Sequence, residues 1–321
     1  MIDSRRDSSQ VASSWNTYWH GTGNVGAYSS GGVSHPAIQT FWDEYFQTVQ
    51  QEFDALKIID IASGNGAVVE RALAVFADVQ PEFTCVDVSA AAIANIRKRF
   101  PQVSGVVADA RSIPLVSGSF DVATSQFGVE YAGLDAIDEA ARLLRPGGQL
   151  ALLLHSQAGS IHEECRASLD AIVRLQESKF IPYVVEMFSA GFAAVRGADR
   201  APYDEAGKQL DPAVRTLEAI MLEYGEHVAG DTIARLYGDV ARIHNEIQHY
   251  EPVEVIEWLQ KMGGELDAYA GRMSSMADAA IDGEAFERIC ASLRDQGYTT
   301  KRAEPLKAGD QELAWVLVAS N

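Results

Sequence analysis

Four short segments carry residue types suited to holding a nucleoside-like ligand. The first is Asp60-Ile61-Ala62-Ser63-Gly64-Asn65-Gly66, a carboxylate followed by two closely spaced glycines. Glycine lets the chain turn sharply and lets a ligand approach the backbone, and a helix that follows points its N–H groups at that ligand. The second is Asp87 with Val88 behind it, about 20 residues further on, where a carboxylate can accept the hydroxyls of a ribose. The third is Asp109-Ala110, opening the run Asp109–Leu115. The fourth is Leu144-Arg145-Pro146-Gly147-Gly148, a sharp helix stop before an apolar run. A nicotinamide-type G-x-G-x-x-G is broken here, because Val69 stands where the third glycine belongs.

The elements that must position these segments are legible from hydrophobic periodicity. Short β-branched runs predict strands over Lys57–Ile61, Phe83–Val88, Val103–Ala108, Phe120–Thr124 and Gln149–Leu154. Helical patterns fill the gaps at Val68–Phe76, Ala90–Phe100 and Leu134–Leu144, while Asp109–Gly118 has room only for a turn or a short helix. Such alternation argues for a doubly wound α/β fold, a mostly parallel seven-stranded sheet covered on both faces. The first three of these segments then fall at the carboxyl end of a strand, where open α/β sheets bind ligands.

The rest of the chain is arranged around that core. Residues 1–55 hold an aromatic, glycine-rich stretch and then a helical pattern around Ile38–Phe53. Residues 156–282 lose the strand signal, so they read as an all-helical insertion, a cap or a dimerisation element. Helix starts are expected at Ser160, with Glu163 completing a capping box, at Asp211-Pro212 and at Asp231; Val253–Met262 and Leu266–Met276 read as two more helices. Residues 283–321 return to the core style, with a helix Glu284–Asp295 and a hairpin of Thr299–Ala303 and Glu312–Ala319.

Taken together, the four segments resemble the class I S-adenosylmethionine-dependent methyltransferases, in particular their small-molecule branch. The family's D-x-G-x-G-x-G reads here as Asp60 to Gly66, with Ala62 in place of the first glycine. Its aspartate after the second strand reads as Asp87. Its D-A-x-x-L-P-F…F-D reads as Asp109-Ala110-Arg111-Ser112-Ile113-Pro114-Leu115 with Phe120-Asp121, and its L-x-P-G-G as Leu144–Gly148. The resemblance covers residues 56–155 and, more loosely, 284–319. It implies S-adenosylmethionine as cofactor. It implies that Ala62, Gly64 and Gly66 lie against the methionine portion, with Asp60 supporting their turn. Asp87 and Val88 then meet the ribose side, Asp109 and Ala110 the adenine, and Ser125, Gln126 and Phe127 the methionine end and the acceptor. Ala62 is tolerable at its turn provided its φ is negative.

For the transfer itself the candidates are histidines and aromatics. A sulfonium is already an activated methyl donor, so alignment with the acceptor supplies much of the catalysis, and a base helps where the acceptor carries a proton. His155, closing the fifth strand, is the first candidate base. His20 and Tyr28, with Tyr18 beside the cofactor, belong to the aromatic stretch and are read as parts of a lid. Glu130 and Tyr131 are lesser candidates for acceptor contact. No metal cluster is expected.

Composition narrows the partners. The chain carries 45 Asp and Glu against 26 Lys and Arg, a formal net charge of −19. Such a surface repels phosphate backbones, so no nucleic-acid partner is expected. No apolar run reaches the length of a membrane span, and the polar start suggests no secretory signal, which together point to the cytoplasm and to no membrane partner. Three scattered cysteines, Cys85, Cys165 and Cys290, suggest buried thiols. The expected function is methyl transfer to an O, N or S atom of a small-molecule acceptor, by a possible homodimer. The competing readings are a protein or peptide methyltransferase and a non-catalytic binder of the same cofactor.

Overall fold

The computed structural model describes Trp15, Asn16, Trp19 and residues 35–53, 55–77 and 81–321. It divides into two compact units, residues 1–163 with 275–321 and residues 164–274.

The first unit is built on a seven-stranded sheet of order β3-β2-β1-β4-β5-β7-β6. Its strands are β1 (Lys57–Ile61), β2 (Glu82–Asp87), β3 (Ser104–Val107), β4 (Phe120–Gln126), β5 (Leu144–His155), β6 (Thr299–Ala308) and β7 (Gln311–Ser320). The first five are parallel, and β7 runs antiparallel to both β5 and β6. The order reverses between β1 and β4, which opens a crevice at their carboxyl ends. Helices α1 (Pro36–Glu52), α2 (Ala67–Val75), α3 (Ala90–Arg99) and α4 (Leu134–Leu143) accompany the parallel strands, and α10 (Gly283–Asp295) precedes the hairpin.

Why the sheet buries both faces follows from strand composition. β1 reads Lys-Ile-Ile-Asp-Ile, and its last four residues are all buried. In a parallel sheet both sets of alternating side chains need cover, so such runs lack polar alternation. Ile59, Ile61, Ala123, Leu150, Leu152, Leu154, Leu317 and Ala319 share one core with Ile137 and Ala140 of α4 and Phe286, Ile289 and Leu293 of α10. α1 contributes a run of buried aromatics, Phe41, Trp42, Tyr45 and Phe46. The three cysteines are buried free thiols.

The second unit is helical around its own apolar core, which includes Ile172, Phe188, Leu217, Ile220, Ile233 and Leu259. Two expectations need correction there. Asp211-Pro212 does not start a helix, because Pro212 lies inside α7 (Ala201–Tyr224). Ala206, Leu210, Ala213, Leu217 and Ile220 form one uninterrupted buried stripe across it, and tertiary burial outweighs the lost backbone donor. Likewise Val253–Met262 and Leu266–Met276 are one helix, α9 (Pro252–Ala279), running straight through Gly263-Gly264. Its buried Val255, Leu259, Leu266, Met273 and Met276 keep helical spacing across the glycines. The remaining helices are α5 (Ser160–Glu177), α6 (Phe180–Val195) and α8 (Thr232–Asn245). Among the described residues no helix is long and apolar enough to cross a membrane.

Candidate functional site

The site is assembled at the carboxyl ends of β1, β2, β3 and β4. Where β1 ends, Ala62 and Gly64 both adopt left-handed backbone, at φ 56° and 51°. The condition set for Ala62 is therefore not met. A non-glycine residue there carries strain of roughly 1–2 kcal/mol, which persists only where the surroundings over-determine it. Those surroundings are visible. A Cβ added to Gly128 would fall 2.4 Å from the Ala62 Cβ. Gly128 follows Phe127, itself left-handed at φ 54°. Two strained turns, one after β1 and one after β4, thus abut through a position that only glycine fits.

Asp87 ties the first turn to the second strand. Its Oδ2 accepts from the Gly64 N–H at 2.8 Å and its Oδ1 from the Ser89 N–H at 2.8 Å. Ser89 in turn caps α3, its hydroxyl accepting from the Ala92 N–H. Burial raises the pKa of Asp87, and the backbone donors at Ser89 and Gly64 oppose that rise. Beside it, Val88 is 42% exposed, an uncovered apolar side chain among polar neighbours. Asp109 is more open. Its carboxylate takes the guanidinium of Arg111 at 2.6 and 3.0 Å and the Arg111 N–H at 2.9 Å, and this bond holds its pKa below the usual carboxylate range. Ala110 packs at the margin of the sheet core.

Asp60 lies beneath the turn, 1% exposed. Its Oδ1 accepts from the Thr124 hydroxyl at 2.7 Å, and its Oδ2 is buried with no hydrogen-bond partner. Burial pushes its pKa up to about 7, against the lowering effect of Thr124 and Ser63. Ser125 is wholly buried, and its hydroxyl accepts from the Val129 N–H, so it shapes the turn after β4. Gln126 accepts from the Trp42 indole at 2.5 Å. Gly66 opens α2 in left-handed conformation.

His155, at the end of β5, is 1% exposed. Glu130 Oε1 sits 2.6 Å from its Nδ1 and accepts its backbone N–H at 3.0 Å. The Phe127 ring lies 4.5 Å from the imidazole, and Tyr131 meets it edge-on at 5.8 Å.

The aromatic stretch contributes Trp15, Asn16 and Trp19. Trp15 stacks on Trp19 and meets Tyr131 edge-on. Trp19 is 6% exposed and lies so close to the glycine turn that a Cβ on Gly64 would fall 2.8 Å from its ring. Asn16 Oδ1 accepts from the Ser89 hydroxyl and the Ala91 N–H at the start of α3. Asn95, on α3, donates to the Trp19 carbonyl and to Asn65. Asn16 and Asn95 escaped the sequence reading because asparagine on or before a helix carries no distinctive spacing. Tyr18, His20 and Tyr28 lie outside the described residues.

These features fit an adenosyl ligand. A buried carboxylate, Asp87, is held at the strand end by backbone donors, an exposed apolar Val88 flanks it, and the buried Asp60 oxygen has no partner. Asp87 would hold hydroxyls, Val88 and Ala110 would flank a planar base, and the Ala62–Gly66 turn would meet the remainder.

Comparison with known proteins agrees. A family model described as a methyltransferase domain matches residues 58–148. The ubiquinone/menaquinone biosynthesis C-methyltransferase of Cereibacter sphaeroides is 34% identical over 111 residues, covering 32% of this chain and 43% of that protein. The one from Shewanella is 28% identical over 200 residues, covering 59% of this chain and 73% of that protein. The chain thus spans less than half the length of the first of these relatives. An amino pentose methyltransferase from Micromonospora echinaspora shares 26% identity over 36% of this chain and 48% of its own, with a TM-score of 0.29. Motif order and strand topology agree with that match: residues 58–148 are similar to a methyltransferase domain, and their strand order and motifs resemble the class I S-adenosylmethionine-dependent enzymes.

Proposed function

We propose that the protein transfers a methyl group from S-adenosylmethionine to a small-molecule acceptor. The observation that carries this reading is the union of the strained Ala62–Gly66 turn with Asp87 across the adjacent parallel strands β1 and β2, β1 bordering the switch point of the sheet. S-Adenosylmethionine supplies an electrophilic methyl: the methyl–sulfur bond breaks, its electron pair stays on sulfur, and a new bond forms from the acceptor atom to the methyl carbon. The chain's residues hold and orient. Asp87 and the Gly64 turn bind the adenosyl portion, and the strained turns at Ala62 and Phe127 keep that cradle rigid. Where the acceptor atom carries a proton, the imidazole of His155 takes it. An oxygen, nitrogen or sulfur acceptor suits such a base. The C-methyltransferase names of the relatives add an acidified carbon to that set.

The acidic surface favours a small acceptor over a nucleic acid, since 45 acidic side chains face only 26 basic ones. The test is calorimetry with S-adenosylmethionine and S-adenosylhomocysteine, with NAD as control and Asp87→Ala as second control. The expected result is micromolar binding of both adenosyl ligands, lost in the variant and absent for NAD. A transfer assay with labelled methyl then screens hydroxyl, amine, thiol and activated-carbon acceptors. A folded protein that binds neither adenosyl ligand overturns the proposal.

A further inference from the structure

His155 and Glu130 are 25 residues apart in sequence and meet because β4 and β5 pair in parallel, Gln126 beside Leu153. The short helical turn Val129–Ala132 then carries Glu130 back under the end of β5. Both side chains are 1% exposed. One carboxylate oxygen serves both the His155 N–H and the His155 ring, while Oε2 is buried with no hydrogen-bond partner. Burying a carboxylate with one oxygen unsatisfied is expensive. A folding role does not require it, because a glutamine carbonyl would accept the same backbone N–H without a buried charge. What a carboxylate adds is a negative charge fixed beside Nδ1, where it holds the Nδ1 proton and stabilises an imidazolium.

On these grounds, and resting on the methyl-transfer reading above, we infer that Glu130 is a positioning residue that holds His155 as its Nδ1–H tautomer, making Nε2 the atom that takes the acceptor's proton. A neutral imidazole with its proton on Nδ1 has its lone pair on Nε2, and the partner of one ring nitrogen decides the state of the other. The Phe127 and Tyr131 rings lie against the imidazole and oppose its rotation. The proton balance is complete. Nε2 gains the acceptor's proton as the acceptor–carbon bond forms, the resulting imidazolium is stabilised by Glu130 through Nδ1–H, and the proton then passes to water. The acceptor class follows: a phenol, alcohol, amine, thiol or activated carbon that must lose a proton, as opposed to a tertiary amine or thioether that need not.

The test reads the tautomer directly. Nitrogen-15 histidine labelling of the full chain, with His155→Gln to assign the signals, reports which ring nitrogen carries the proton. This is read without ligand, so it stands apart from whether the adenosyl ligands bind. The expected result is Nδ1–H in the wild type, a loss of that preference in Glu130→Leu, and its retention in Glu130→Gln, whose carbonyl still accepts from Nδ1–H. Thermal melts confirm that the variants are folded. An Nε2–H tautomer in the wild type, or an unchanged tautomer in folded Glu130→Leu, overturns the inference. With an acceptor in hand, Glu130→Gln should lower kcat by about 100-fold or more, with the KM for the methyl donor within twofold. A kcat within threefold of wild type also overturns it.

Discussion

Gly128→Ala isolates the contact between the two strained turns. The new Cβ would lie 2.4 Å from the Ala62 Cβ and 3.1 Å from the Ala62 carbonyl oxygen. Carbon atoms in contact sit about 3.5–4.0 Å apart, so about 1 Å of movement is needed. Neither side yields easily, since Ala62 at φ 56° and Phe127 at φ 54° are already displaced from ordinary backbone. Gly128 itself has φ −150°, so the substitution brings no left-handed strain of its own. Overpacking of this kind costs about 1–3 kcal/mol. For a unit of this size a loss of 1 kcal/mol lowers Tm by about 2–4 °C, so a drop of about 4–8 °C is expected for a mid-range cost. Ala62→Gly removes the clashing methyl. Alone it should be nearly neutral, because relief of about 1 kcal/mol of strain is offset by a similar gain in unfolded-chain entropy. In Gly128→Ala with Ala62→Gly only the contact to the carbonyl oxygen persists, and most of the loss should be recovered, a coupling of about 1–2 kcal/mol. Calorimetric melts of the four proteins in the cycle measure it. Affinity for S-adenosylhomocysteine should follow the same pattern, since both turns belong to the cradle. A Gly128→Ala melt within 1 °C of wild type, or strictly additive effects, refutes the argument that this contact fixes the turns.

Three further outcomes are expected. Asp60 has a native pKa near 7 against an ordinary value of 3.8, so the native state holds a proton that the unfolded chain releases; its contribution is full below about pH 4 and is lost as pH rises towards 7, about 4 kcal/mol in all. Asp60→Asn should flatten the fall in stability between pH 5 and pH 7 in urea titrations (about 1.4 kcal/mol per pH unit), and an unaltered slope would count against this assignment. Asn95→Ala removes the donor to the Trp19 carbonyl and to Asn65, and should cost about 1–3 kcal/mol, with a red shift of tryptophan emission as Trp19 loosens; an unchanged emission spectrum would show that the Trp19 segment is held by other contacts. Pro212→Ala should stabilise the helical unit by about 1–3 kcal/mol by restoring a backbone donor inside α7, and a neutral or destabilising result would mean that the chain there is adapted to proline.

Much of the core was legible in the residues themselves. β1 is found where the apolar run ends at Ile61, and β2 lies one residue from its expected bounds, because buried parallel strands advertise themselves as β-branched runs bounded by turns. The helical unit was legible in type but not in segmentation. Pro212 and Gly263-Gly264 are local breaker signals, and long buried stripes in α7 and α9 overrode them. At the site the sequence named Asp60, Gly64, Gly66, Asp87 and Asp109, since each stands at a fixed offset from a strand end. It could not show that Ala62 would be left-handed, because φ at that position depends on the Gly128 surface pressed against it.

What the sequence determined by itself was the order of elements and the sheet-edge residues, through periodicity and turn chemistry that act over a few residues. What only the tertiary structure decided was every pairing across strands: the Asp87 carboxylate on the Gly64 N–H, Gly128 against Ala62, Trp19 over the glycine turn, and Glu130 beneath His155. Each joins residues 23 to 66 positions apart, where no local propensity reaches and only the register of the parallel sheet and the packing against it bring the atoms together.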